Sequence, residues 1–319
     1  MQDGPDGEPI FERLVLGAGR RGLLAALQAP KDGLLVVDAA FQPGGRMRTT
    51  RTNGYVCEHG PFAFRDEELA PWRVLLPRAP TAIPALPGAA SGFVFDGQLR
   101  PIALEAAPWS FRTGNEELVQ AARHALSNKL RLGRPVEHLE PSDGAPACFV
   151  VGLGGEVPGT VRGREVVLAL PTPVGARLLG PFDPRLAEVG DRVRRETRAM
   201  VWLGGDETTF PEAVGYGIVP GPDLASPLAE VIFCSRVFPA RALPGRFLVR
   251  CEVVLDDGED DAAAMAIAER ELRAWTGTRT VFALRKVERF AVDVEDGALV
   301  ECRVRVRDAV QRVPGLHLA

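Results

Sequence analysis

Ile10-Phe11-Glu12-Arg13-Leu14-Val15-Leu16-Gly17-Ala18-Gly19-Arg20-Arg21-Gly22-Leu23-Leu24-Ala25-Ala26-Leu27 runs from a short apolar strand through a glycine loop into good helix formers. Pro30 and Gly33 stop that helix, and Leu34-Leu35-Val36-Val37-Asp38 reads as a second strand of the buried, parallel kind. The unit is β-α-β, with Gly17-x-Gly19-x-x-Gly22 at the strand-to-helix turn. Gly17 makes the tight turn. Gly19 lets backbone N–H groups approach a pyrophosphate, and Gly22 lets the helix pack close to the sheet. Asp38 ends the second strand, where a carboxylate can accept both ribose hydroxyls of an adenosine. With both strands and the acid in place, the pattern predicts dinucleotide-type architecture.

Two further segments extend the motif. Pro43-Gly44-Gly45-Arg46-Met47-Arg48-Thr49 brings adjacent glycines, which permit backbone beside a bulky ligand, and Arg46 there can pair with diphosphate oxygens. Gly54-Tyr55-Val56-Cys57-Glu58-His59-Gly60-Pro61-Phe62-Ala63-Phe64 follows shortly after. Residues 66–108 are proline-rich and hold a hairpin turning at Asp96-Gly97. Asn115 is placed to cap an amphipathic helix, with Leu118, Ala122, Leu126 and Leu130 on one face. Val136, 147–153 and 161–170 read as a β-meander. Residues 198–205, 215–219, 229–236 and 246–255 read as strands of a second sheet, and Asp260 or Asp261 caps a helix to about Trp275. Residues 281–292 and 298–307 add strand, the alternation Arg303-Val304-Arg305-Val306-Arg307 being half-exposed. No repeat or linker divides the chain, so two lobes interleave.

Composition narrows the classes. The 319 residues are 46% hydrophobic and 25% charged, an ordinary globular balance. Lys+Arg 38 against Asp+Glu 42 leaves no positive field for nucleic acid. Five scattered cysteines without C-x-x-C and four histidines without ligand spacing predict no metal, reduced thiols and a cytoplasmic protein. Cys57, Cys234 and Cys251 read as small core residues, and His59 as a packing or surface residue. The acidic start is not a signal peptide, and no apolar run spans a membrane.

Taken together, the first sixty-four residues resemble the FAD-dependent amine oxidase superfamily, and within it the protoporphyrinogen oxidases. Ser110-Phe111-Arg112-Thr113-Gly114, Arg134-Pro135-Val136-Glu137, Gly217-Ile218-Val219-Pro220, Ile232-Phe233-Cys234-Ser235, Pro239 to Arg250 and Pro314 to Ala319 extend the resemblance over most of the chain. It implies an α/β fold: a Rossmann-like FAD-binding domain with parallel sheet and β-meander, interleaved with a smaller α+β substrate domain. The ranges are 1–66, 112–172 and 306–319 for the first domain and 67–111 and 173–305 for the second. The implied FAD contacts are Gly17, Gly19, Arg21, Gly22, Asp38, Gly44, Gly45, Arg46, Gly60, Pro61, Phe62 and, through its backbone, Val136.

The chain departs from the family in three places. The family continues past the position of Ala319 into a Gly-Asp or Gly-Asn pair and a helix that touch the flavin. It carries a long helical cavity roof where this chain has only Leu104 to Ser110, and small residues where this chain has Arg20 and Arg21. Without the last segment, one apolar face of the parallel sheet should lie exposed, with weak FAD binding or cover from self-association or a companion chain.

The first functional reading is therefore an FAD-dependent oxidoreductase resembling protoporphyrinogen oxidase, reoxidised by oxygen and acting on a small-molecule substrate, with no catalytic residue named. The alternative is a degenerate, non-catalytic flavoprotein-like domain that acts through a partner protein. A nicotinamide-dependent enzyme is a third reading, disfavoured because nicotinamide folds do not call for Gly44-Gly45-Arg46 with Gly60-Pro61.

Overall fold

The computed structural model describes residues 2–3, 9–103, 109–142, 148–211 and 215–319. A two-residue strand β1 (Gln2–Asp3) pairs with β2 (Pro9–Leu16), which enters α1 (Arg20–Gln28) and then β3 (Leu34–Val37) through the glycine loop. The hairpin β4 (Thr49–Thr52) and β5 (Tyr55–Glu58) precedes α2 (Asp66–Leu75) and β6 (Ala82–Pro84). A second hairpin, β7 (Ser91–Phe95) and β8 (Leu99–Ala103), turns at Asp96-Gly97, with Gly97 at φ +102°. Next come β9 (Trp109–Phe111), paired with β6, then α3 (Glu116–Leu126) and β10 (Leu130–Arg131). The meander β11 (Val136–Pro141), β12 (Phe149–Leu153) and β13 (Gly159–Leu168) leads into α4 (Thr172–Leu178) and α5 (Arg185–Asp191).

The remaining strands alternate less regularly with helices. They are β14 (Arg195–Asp206), β15 (Gly217–Pro220), β16 (Leu228–Ile232), β17 (Arg246–Leu255), β18 (Leu284–Asp293) and β19 (Leu316–Leu318). Between them lie α6 (Cys234–Val237), α7 (Asp261–Thr276) and α8 (Gly297–Arg312). Asp260 caps α7 by accepting from the Ala263 N–H, and Gly277 ends it in the left-handed region.

The first sheet has the order β10-β3-β2-β13-β12-β11, with β19 also on β13. β10, β3, β2, β13 and β19 run parallel, while β11 and β12 join antiparallel. β13 serves both parts: residues 159–163 pair with β12 and 166–168 with β19. The second sheet has the order β18-β14-β17-β16-β15-β7-β8. One of its faces packs on α7 through Val201, Val249 and Trp275, and the other meets the first lobe through Met200, Trp202 and Leu248.

Two expectations need correction. Residues 298–307 are helix, the centre of α8. β-branched valines alternating with arginine mimic a strand, but Leu299, Cys302, Val306, Ala309 and Val310 are the buried positions, spaced for one helical face. Asp296 fixes the start by accepting from the Ala298 and Leu299 N–H groups. Second, α8 with α4 and α5 packs on Leu14, Leu16, Val166 and Leu168, so this face of the parallel sheet is covered. Leu318, 44% exposed, lines an open cavity there with Leu168, Leu170 and Val306. α4, α5 and α8 pack in one core with the first sheet, and Leu69, Trp72 and Phe111 in the core on its other face. Of the stretch that stands in place of a cavity roof, residues 104–108 lie outside the described residues.

Candidate functional site

The glycine loop forms a cradle whose three glycines do different work. Gly17 has φ +104°, and a Cβ there would sit 2.8 Å from the Ala169 carbonyl oxygen. A Cβ on Gly22 would lie 1.8 Å from the Gly17 carbonyl oxygen, so helix and loop touch only because that atom is missing. Gly19 is the reverse: its φ is −70° and a Cβ would meet no atom within 4 Å. The open space is at the start of α1, which has no side-chain cap and no acid in its first turn. Its first N–H groups therefore face outward with the positive end of the helix dipole.

Asp38 closes one side of this cradle. Its Oδ2 accepts from the Ala18 N–H at 2.5 Å and its Oδ1 from the Ala40 N–H at 2.7 Å. Each oxygen keeps a second acceptor position. The Arg134 N–H donates to the Asp38 carbonyl at 2.8 Å, which places Val136 on the neighbouring β11. On the other side the Gly44 N–H donates to the Ala18 carbonyl at 2.7 Å, and Gly19 and Gly44 form a β-bridge. The structure thus gathers Gly17, Gly19, Gly22, Asp38, Gly44 and Gly45. It does not gather the two arginine side chains. Arg46 lies over the Phe290 ring of the second sheet at 5.1 Å, and Arg21 lines a separate cavity with Arg303 and Arg307.

Gly60, Pro61 and Phe62 sit at the lobe junction. A Cβ on Gly60 would lie 2.4 Å from the Arg46 carbonyl oxygen, and the Gly60 carbonyl accepts from Arg250 at 2.7 Å. Asn115, expected as a helix cap, is fully buried, and its amide donates to the carbonyls of Pro61 and Phe62. The Phe62 side chain is buried against Phe238 and Tyr216. Ring and carbonyl are both engaged within the protein, at the junction of the lobes. Beneath it Glu58 and Arg241, 2% and 0% exposed, form an ion pair at 3.0 Å. Burial lifts the Glu58 carboxyl above the usual range, against the pull of Arg241. Thr49 and the Asn115 N–H donate to Glu58, and Arg241 donates to Ser110 and the Phe111 carbonyl.

Between the lobes lies a cavity of about 280 Å³, walled by Phe64, Arg65 and Glu68 on one side and Phe93, Tyr216 and Glu230 on the other. It adjoins the cradle, because Glu68 accepts from Arg20, the residue after Gly19, at 2.6 Å. Burial raises the Tyr216 phenol, keeping it un-ionised, and likewise raises the Glu230 carboxyl against the opposing Arg250 at 3.4 Å. Sequence reasoning missed both groups. The available signal was scarcity, since the chain has only two tyrosines.

His59 is buried against Trp202, with ring centroids 4.7 Å apart. Its Nε2 lies 2.6 Å from the Thr50 hydroxyl, and its Nδ1 lies 2.5 Å from Glu288 of β18, an ion-pair contact off the N–H axis. Desolvation lowers its pKa, opposed by Glu288 and aided by Arg48 and Lys286. A histidine with a depressed folded pKa contributes stability above its unfolded value, and that contribution is lost as pH falls through about 6.5 and below. Melting temperature should therefore fall between pH 7 and 5, and His59→Gln should flatten that fall. Equal slopes for both proteins would contradict the assignment.

Residues 15–76 match the NAD(P)-binding Rossmann-like domain family. Over the whole chain the fold is similar to a protein of Exiguobacterium sp. 255-15 provisionally named a protoporphyrinogen oxidase. The TM-score is 0.77 at 16% identity, over 98% of this chain and 94% of that one. A reduced UDP-galactopyranose mutase follows at TM-score 0.72 and 11% identity, covering 97% and 88% of the two chains. A redesigned putrescine oxidase gives 0.71 at 12%, covering 97% and 92%. The chain shares the mixed α/β fold of these three proteins, with a Rossmann-like domain at its start. The neighbours' names include both oxidases and a mutase, so the shared fold does not by itself fix a reaction. Among the described residues no group of three His, Cys, Asp or Glu could hold a metal, and no helix is long and apolar enough to cross a membrane.

Proposed function

We propose that this chain is a flavin-dependent oxidoreductase acting on a small substrate, with FAD as its cofactor. The observation that carries the reading is the empty space at Gly19, framed by Asp38, the start of α1 and Gly44-Gly45, beside a cavity between two lobes. Asp38 would hold the ribose hydroxyls through its free lone pairs, and the first N–H groups of α1 the diphosphate. When bound, a flavin supplies a hydride acceptor that oxygen can reoxidise. The chain's own residues orient the substrate and exclude water. Phe64 and Phe93 give the cavity apolar walls, while Glu230 and Tyr216 can take or give a proton at a substrate atom. A cavity of about 280 Å³ lies at the lower edge of ligand pockets, which favours a small amine or alkene over a tetrapyrrole. Five buried free thiols suit a reducing compartment, which supports a cytoplasmic location.

The test is reconstitution with FAD, followed by the flavin absorbance of the protein freed of excess cofactor. A bound flavin is expected, and Asp38→Asn should weaken it by about tenfold or more while keeping one acceptor for the loop. A protein that stays colourless removes the proposal. The second reading, a non-catalytic domain acting through a partner protein, is favoured by one feature. Arg20 is tied to Glu68, and both Asp38 oxygens already serve the backbone. Flavin binding without reduction by any small amine or alkene would support it.

A further inference from the structure

A second and larger cavity, about 1440 Å³, shares no lining residue with the glycine loop or the interlobe cavity. Its walls carry Leu86 and Leu243, which are 45% and 57% exposed, two of the largest apolar side chains the fold leaves in solvent. Three arginines line the same space: Arg112 after β9, Arg236 on α6 and Arg246 at the start of β17. Among the described lining residues Glu207 is the one acid. Arg236 lies over the Phe210 ring at 5.6 Å, which fixes it in the wall. Among the described residues Arg112 and Arg246 have no carboxylate within salt-bridge distance, whereas Arg241 and Arg250 are paired with Glu58 and Glu230. Asp206 lies across the strand pair from Arg246; its Oδ1 accepts from the Thr208 N–H and hydroxyl, and its charge offsets part of that of Arg246.

Exposed leucines and an excess of guanidinium groups over described lining acids on one concave surface are complementary to an anionic molecule with an apolar body. We propose that this groove binds a small anionic amphiphile, an apolar body bearing one oxyanion such as a carboxylate or sulfonate. The leucines would cover the body, and Arg112 and Arg246 would donate to the oxyanion, guanidinium forks being suited to planar oxygen pairs. Because Arg112 belongs to the first lobe and Arg246 to the second sheet, the ligand would clamp the two together and raise the melting temperature.

The experiment is a fluorescence titration of the full chain with 8-anilinonaphthalene-1-sulfonate, run beside the neutral N-phenyl-1-naphthylamine. The sulfonate should bind saturably at one site. The double variant Arg112→Gln/Arg246→Gln should weaken it by about tenfold or more and change the neutral probe by less than about twofold. Arg112→Lys should keep most of the affinity. Leu243→Glu, which alters a side chain already in solvent, should repel the sulfonate and serves as an independent variant should the arginine pair affect folding. Equal affinity for the two probes, or a sulfonate affinity untouched by these variants, would overturn the proposal. So would the lack of any saturable binding.

Discussion

Arg241→Ala should destabilise the protein by about 3–5 kcal/mol, because it leaves the Glu58 carboxylate buried without its counter-charge. The loss reaches beyond one ion pair. Arg241 also donates to Ser110 and to the Phe111 carbonyl, and its guanidinium lies over the rings of Phe62 and Phe238. These groups come from both lobes, so the variant should loosen their junction as well as lower the melting point. Arg285→Ala is the control. Arg285 pairs with Glu269 at the surface, 56% exposed, and its removal should cost about 1 kcal/mol or less. Urea denaturation of both variants measures the contrast, and a cost below about 1 kcal/mol for Arg241→Ala would show that the buried pair contributes little.

Gly19→Val and Gly22→Val should separate binding from folding. At Gly19 the backbone has φ −70° and a side chain meets no protein atom, so the free protein should lose only about 1 kcal/mol, for a valine at a helix cap. That same side chain fills the cradle, and flavin affinity should fall by about 100-fold or more. At Gly22 a Cβ collides with the Gly17 carbonyl at 1.8 Å, so Gly22→Val should fail to fold with or without cofactor. Flavin retained by a folded Gly19→Val protein would place the diphosphate elsewhere.

The glycine-loop cradle was legible from local sequence because its signals are local. Gly17 to Asp38 is one contiguous β-α-β unit, and each glycine's task follows from chain geometry. The helix at 297–312 was not legible, since arginine-valine alternation satisfies period two in sequence while Leu299, Cys302 and Val306 satisfy the helical period in space. Asn115 shows a different failure. Its position fits a cap, yet the tertiary demand of the Pro61 and Phe62 carbonyls takes its amide instead. Tyr216 and Glu230 could not be paired with Phe64 and Glu68 by any local rule, because the cavity exists only after two sheets meet.

Strand β13 also sets an order of events during synthesis. Its partners β2 and β12 are made before it or just ahead of it, but β19 emerges only after the whole second sheet has been translated. The stretch from β14 to β18 is contiguous, contains the strands with the most extensive pairing in that sheet, and can close while α8 is still inside the ribosome. The first sheet must meanwhile wait with the β19 edge of residues 166–168 unpaired and its face covered only by α4 and α5 until α8 and β19 arrive. Long loop closure makes that final step slow, and a nascent chain stalled before residue 297 would present a sticky strand edge to its neighbours.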